Sequence, residues 1–230
     1  MCYKVATPEE AQLREYLAPL GFEVASYEHF YHADGFVNPM LPVTTSDAPK
    51  LVHPAMWKLL PHWVKTAAEG KKYANTLNAT CEDIFDKASF KPYISKNRAL
   101  LWVNGFFEPH HPTPKETVPY YVHSVDGNPF TLGCVFSNWV DQDTGEMIKT
   151  FSIITTPANE LMSRIHNDKK RMPLVIPPDA RNKWLGQLDK AQIVEMMQPL
   201  PDGTLEGYPV SSLVYKKGVN SNVPEVIIPI

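Results

Sequence analysis

Four runs decide the fold: RALLWVNGFFE at residues 98–108, VPYYVHSV at 118–125, FTLGCVF at 130–136 and IKTFSIITTP at 148–157. Each is rich in β-branched and aromatic residues, and turn sequences separate the later ones: DGNP at 126–129 and DQDTGE at 141–146. Consecutive strands joined by short turns predict an antiparallel sheet. Around this centre, Thr7-Pro8-Glu9-Glu10 has the form of a capping box with Pro at the first helical position, predicting a helix to about Tyr16. Residues 35–61 are proline-rich and predict extended segments and tight turns. Residues 81–90 (CEDIFDKASF) place Ile84, Phe85 and Phe90 near helical spacing, and PANELMSRIH at 157–166, PPDARNKWLGQ at 177–187 and KAQIVEMMQ at 190–198 also look helical. RMPLVI at 171–176 returns to strand, and EVIIPI at 225–230 is expected to close the chain as a strand. Many hairpin-linked strands with a few short helices define an α+β fold around a mostly antiparallel sheet. No repeat, low-complexity tract or linker divides residues 1–230, so one domain is expected.

Composition narrows the function. The 230 residues carry 22 basic and 25 acidic side chains, a net charge of -3, so an anionic partner would need a local basic groove. Cys2, Cys81 and Cys134 form no CxxC pair, which fits neither a disulfide framework nor a zinc finger and suits a reducing, cytoplasmic setting. Pro8, Glu9 and Glu10 leave no room for a signal peptide, and no apolar run approaches the ~18 residues of a membrane span. The eight histidines show no HExxH spacing, and there is no GxGxxG or Walker A sequence; neither metal nor cofactor is expected.

A few residues can carry chemistry. Cys2 stands next to Met1, and removal of Met1 would leave a 1,2-aminothiol at the chain start. Elsewhere a free cysteine is most often a small buried hydrophobe, but a chain terminus is a poor place to bury a side chain. Such a group can act as a nucleophile with its own amine as base, or close on an aldehyde through an imine to a thiazolidine. An α-amine titrates near ~7.7–8.0, so much more of it is neutral and nucleophilic at cellular pH than of a lysine near ~10.4. Glu108 is the only acid in an apolar run. A strand-end glutamate needs no special role, yet partial desolvation would raise its pKa and fit it for proton transfer. His166 ends a helical segment, where a cation suits the dipole, and Asn78 has the look of a helix N-cap with Glu82 in the first turn. Trp57, Trp63, Trp102, Phe106 and Phe107 are candidate core residues, or stacking platforms for bases if any lies at a groove rim.

Taken in order, these residues resemble the SOS-response-associated peptidase (SRAP) family. The similarity runs through Cys2, Trp57-Lys58-Leu59-Leu60-Pro61 with Trp63, Asn78-Ala79 with Glu82, Gly105-Phe106-Phe107-Glu108, the stretch 153–166 ending in His166, Arg171-Met172-Pro173 with Trp184, Pro209-Val210-Ser211, and residues 222–227 (NVPEVI). The resemblance implies a single domain with an open, barrel-like β core. It also implies capture of abasic sites in single-stranded DNA by a covalent link to the N-terminal cysteine. The matching catalytic positions are Cys2, Asn78, Glu108 and His166. DNA contacts are expected at Lys4, Trp57, Lys58, Trp63, Thr80, Arg98, Pro209 and Ser211, in a monomer. Four positions depart from the family pattern: Tyr3-Lys4 follow Cys2 in place of Gly-Arg, Thr80 replaces an arginine, and Pro109 replaces a tryptophan. Lys4, Lys58, Arg98 or the run Lys169-Lys170-Arg171 would have to supply the missing charge. Two further readings remain at this level: an N-terminal-nucleophile peptidase or amidohydrolase, and a damage-binding module without covalent chemistry.

Overall fold

A computed structural model describes residues 2–73 and 75–230. The first strands are β1 (Lys4–Ala6), β2 (Glu23–Val24), β3 (Ala33–Asp34), β4 (Met40–Thr45), β5 (Ala48–Trp57) and β6 (Asn78–Thr80), with helices α1 (Glu10–Leu17) and α2 (Ala67–Gly70) among them. Next come α3 (Lys91–Ile94) and the long central strands β7 (Arg98–Val103), β8 (Gly105–His110), β9 (Val118–Ser124), β10 (Phe130–Val140) and β11 (Met147–Pro157). The chain ends with α4 (Glu160–Ile165), β12 (Arg171–Pro173), β13 (Val175–Ile176), α5 (Arg181–Leu185), α6 (Lys190–Met196) and β14 (Leu205–Pro209).

Strands β4, β5, β11, β10 and β7 pair in a ring. All contacts in the ring are antiparallel except one, a short parallel seam at Met56↔Thr150 and Trp57↔Phe151. The expected α+β, mostly antiparallel barrel core is present, and the seam closes it. Just beyond the seam β6 takes over as the parallel neighbour of β11, with Asn78 opposite Ile153. A second sheet runs in the order β14-β9-β8-β1-β3.

The run 98–108 spans both sheets. Its β7 half lies in the barrel and its β8 half in the second sheet, and they part at Asn104, whose backbone N–H donates to the Ala6 carbonyl at 2.8 Å. Strand β7 is buried on both faces. Ala99, Leu101 and Val103 join Leu132, Phe136, Phe151 and Ile153 inside, while Leu100 packs with Trp184 and Ile193, and Trp102 with Leu13 and Leu17 of α1. A strand covered on both faces needs apolar residues at every position, which is why this run shows no alternation. Each such leucine or valine contributes roughly 1.5–3 kcal/mol by burial.

Gly105, the first residue of β8, lies against the ring of Tyr121: a Cβ there would come 2.4 Å from Tyr121 Cζ. Tyr121 is itself buried and packed against Phe107 at 5.0 Å between ring centroids, so it cannot yield. Gly105→Ala is expected to cost about 1–3 kcal/mol by overpacking. An unchanged urea midpoint would show that the ring has room to move.

Three local expectations are corrected. Helix α1 begins at Glu10 with no side-chain cap; Thr7 is instead tied to Phe30, its N–H donating to the Phe30 carbonyl and its Oγ1 accepting from the Phe30 N–H, both at 2.8 Å. Residues 81–90 form successive turns, with helix only at Lys91–Ile94, so the helical spacing of Ile84 and Phe90 serves the packing of turns onto the barrel's outer face. The closing EVIIPI is a 3₁₀ turn over Pro224–Ile227 with one isolated bridge, Val210↔Pro229. Pro224 and Pro229 have no N–H to give a ladder.

Candidate active site

Pairing of β1 with β8 fixes the start of the chain. With Val5 opposite Phe106 and Ala6 opposite Gly105, continuation of the register carries the residues before Lys4 alongside Glu108. Cys2 is fully buried in the barrel-end cluster with Trp57, Phe106 and Phe151. Its Sγ lies 3.9 Å from the Lys4 carbonyl. Asn78 is no helix cap; it opens β6, and its Nδ2 donates to the Cys2 carbonyl at 2.8 Å. Helix α4, capped by Asn159 through Oδ1 to the Met162 N–H at 2.9 Å, ends at His166. That ring's Nδ1 lies 3.0 Å from the Arg171 carbonyl and 3.4 Å from Glu108 Oε2. A carbonyl can only accept, so Nδ1 carries the proton and Nε2 is left as the basic nitrogen.

Glu108 is 1% exposed, and burial pushes its carboxyl up to about 7. Burial pulls the His166 imidazole down to about 4, so the pair is not a salt bridge at neutral pH but a neutral imidazole beside a half-ionised acid. Burial, and then the Glu108 charge, hold the Cys2 thiol well above its ordinary range, so it is protonated. Among the described residues, Glu108 Oε1 and Asn78 Oδ1 are sealed acceptors without a donor.

The raised Glu108 pKa predicts a pH-dependent stability. The folded state holds this proton more tightly than the unfolded chain, whose carboxyl titrates near ~4.3. Its contribution is therefore full below that value and is lost as pH rises through about 7. Glu108→Gln should be more stable than the parent at pH 8, with the gap closing at pH 4. Urea unfolding at the two pH values checks this, and a gap that widened toward pH 4 would contradict it.

A cleft of about 380 Å³ opens onto Glu108 and His166, walled by Lys4, Phe36, Lys169 and Tyr215. Tyr215 and Phe36 carry no motif and were not singled out by sequence. Burial first, then the Glu108 and Cys2 charges, push the Tyr215 hydroxyl above its ordinary range, which marks how near it stands to both. Pro109, at the position where the family has tryptophan, lines the same cleft.

The structure brings the four chemical candidates together but scatters the expected DNA contacts. Lys4 is at the cleft, paired with Asp34 at 2.9 Å. Arg98 and Trp57 are interior residues. Arg98 donates to the carbonyls of Trp184 at 2.7 Å, Ile94 at 3.0 Å and Ser95 at 2.6 Å, and to that of Gly186. It thereby ties off the ends of α3 and α5. Trp57 is 0% exposed and donates from Nε1 to the Leu77 carbonyl at 3.0 Å. Lys58 is largely buried, and burial lowers its pKa. Trp63 is half-buried and donates to the Tyr73 hydroxyl at 3.1 Å; Thr80 donates to Asp83 at 3.0 Å. Pro209 ends β14 opposite Tyr120, and Ser211 caps the following turn through the Leu213 N–H. Of the basic run, Arg171 is held by Glu82 at 2.6 and 3.0 Å, while Lys169 lines the cleft. Among the described residues, no group of three or more histidine, cysteine or acidic side chains could hold a metal ion, and no helix is long and apolar enough to cross a membrane.

The closed β barrel thus buries Cys2 beside the carboxyl–imidazole pair of Glu108 and His166. The chain belongs to the SOS response associated peptidase (SRAP) family, whose sequence model matches residues 1–217. It is 33% identical over 174 residues to the abasic site processing protein YoqW of Bacillus subtilis (strain 168), covering 74% of this chain and 73% of that one. It is 25% identical over 209 residues to the abasic site processing protein HMCES of Rattus norvegicus, covering 78% of this chain and 57% of that one. A crystal structure of a protein from Bacteroides thetaiotaomicron aligns over 100% of both chains with a TM-score of 0.88 at 30% identity. A Bordetella bronchiseptica protein at 17% identity, covering 91% of this chain and 100% of its own, shares the fold with a TM-score of 0.78.

Proposed function

We propose that this chain senses abasic sites in single-stranded DNA and captures them covalently through Cys2 once Met1 is removed. The supporting observation is that four separate stretches of chain meet here: Glu108 and His166 line the cleft, and the buried Cys2, held by Asn78 through its carbonyl, lies near enough for the Glu108 charge to act on its thiol. The names of the YoqW and HMCES relatives point to the same substrate class. The Cys2 α-amine attacks the aldehyde of the ring-opened sugar, and loss of water leaves an imine. The thiol then adds across the C=N bond: sulfur bonds carbon, the thiol proton ends on nitrogen, and a thiazolidine closes. Glu108, titrating near about 7, gives and takes protons at the sugar hydroxyl and the amine. His166 Nε2 assists the imine steps, and Asn78 orients Cys2 through its carbonyl. Holding amine, thiol and aldehyde together supplies the effective concentration that free cysteine lacks.

The amine-first order needs no thiolate, which suits a thiol that burial and then the Glu108 charge hold above its ordinary range; the rival is an N-terminal-nucleophile peptidase or amidohydrolase, in which the amine would take the thiol proton. The same groups would serve autocatalytic removal of Met1. On this reading Lys4 and Lys169 meet the phosphates, Phe36 offers a ring to a base, residues 1–230 act as one monomeric cytoplasmic unit, and the interior Arg98 and Trp57 hold the barrel. Intact-protein mass spectrometry with an abasic single strand tests it. The expected species is the chain without Met1 plus the oligonucleotide less one water, absent with an undamaged strand. Turnover of a peptide or amide with no adduct would favour the amidohydrolase. Binding without adduct that survives Cys2→Ala would favour a non-covalent damage reader.

A further inference from the structure

A second cavity, about 370 Å³, lies beside α1, α5 and β7 and shares no lining residue with the cleft at Glu108 and His166. Its walls are the rings of Tyr16, Phe22 and Trp102, with both smaller rings edge-on to Trp102 at 6.2 Å. Within it sits Arg181, only 5% exposed, its guanidinium 4.6 Å from the Trp102 ring centroid. Nε donates to Thr131 Oγ1 at 3.1 Å and Nη1 to the Tyr16 hydroxyl at 3.3 Å, both neutral partners. Among the described residues no carboxylate pairs with Arg181 or with Lys50, and none lines the cavity. Nη2 has no acceptor among them, yet it is not one of the sealed unpartnered atoms, so it stays reachable from the cavity. Lys50 adds a second positive charge at the rim, its Nζ 4.5 Å from the Phe22 ring centroid.

A buried charge without a counter-charge is costly, by several kcal/mol per ion even after relaxation. Stacking on an indole offsets part of that. The free edge of a guanidinium is a planar double donor matched to a carboxylate or phosphate. Cavities of this size, mostly apolar with a few placed polar groups, are typical of small-molecule sites.

We propose that this cavity binds a small planar organic anion, one aromatic ring bearing a carboxylate or phosphate. The acid group lies on Arg181 and the ring among Tyr16, Phe22 and Trp102. The site is independent of the abasic-site reading.

The test is NMR titration of the full chain, following the Trp102 indole N–H, with benzoate and phenyl phosphate as probes. Benzyl alcohol supplies the ring without charge, and acetate the charge without a ring. The expected result is a saturable shift with a Kd of about 1 mM or tighter for at least one probe, and both controls about tenfold weaker. A stronger response to phenyl phosphate assigns the site to phosphate-bearing ligands, and to benzoate, to carboxylates. Arg181→Gln should weaken binding about tenfold or more. Should that variant not fold, Leu20→Trp, at a half-exposed rim position, should block the mouth while leaving the core intact. Cys2→Ala should bind as the parent does. The proposal is overturned if neither probe gives a saturable shift, if acetate binds as tightly as benzoate, or if Leu20→Trp binds unchanged.

Discussion

A preparation that retains Met1, or carries an uncleaved N-terminal extension, is expected to form no crosslink to abasic single-stranded DNA. The expected effect is complete because the nucleophile itself is removed. An α-amine titrating near ~7.7–8.0 is nucleophilic at neutral pH, whereas the nitrogen of a Met1–Cys2 peptide bond is a planar amide with its lone pair delocalised. The thiol alone cannot compensate: it is buried and protonated, and one sulfur bond to an aldehyde closes no ring. Gel-resolved adduct formation over time, with and without a protease that exposes Cys2, is the measurement. Crosslinking of the extended chain at the rate of the processed one would rule out the aminothiol.

Removing the Glu108 carboxyl should slow adduct formation by about 10²–10⁴-fold, the usual worth of positioned proton transfer. Glu108 is the candidate acid–base because it is buried, titrates near about 7, and has an oxygen without a donor among the described residues. Glu108→Ala and Glu108→Gln should be comparably slow, although only the second keeps the shape of the site; a fast Glu108→Gln would mean that packing, not proton transfer, is what Glu108 supplies. His166→Ala should act on the imine interconversions, including reversal of a finished crosslink, because the ring whose Nδ1 faces Arg171 and Glu108 keeps Nε2 as its unprotonated nitrogen. The two phases separate by following formation first and then transfer of pre-formed adduct to excess competitor strand. Parent-like kinetics in both phases would return His166 to the role of a helix-end residue.

The hairpin strands, their turns and the α+β class were legible from composition and turn residues, because these act over a few neighbouring positions. So was the unusual status of Cys2, a matter of position in the chain, and of Glu108, the one acid in an apolar run. Three local errors share a cause. Thr7 was spent on Phe30 rather than on capping α1, Asn78 on Cys2 rather than on a helix, and Glu82 on Arg171 rather than on a helix dipole. Each side chain was claimed by a partner far along the chain, which no local pattern encodes.

Sequence by itself determined the central hairpin strands and their turns, and that a cysteine at position 2, a lone acid in an apolar run and a histidine are available. Only the tertiary structure decided the rest. Closure of the barrel hangs on two parallel pairs between Met56-Trp57 and Thr150-Phe151. The inward burial of Arg98 and Trp57 commits their polar atoms to backbone carbonyls of the fold. Tyr215 and Phe36 are brought to the cleft from segments with no signature of their own. The protonation states of Cys2, Glu108 and His166 were likewise beyond sequence. A pKa follows the solvent and charge around a group, and that surrounding is assembled from residues distant in the chain.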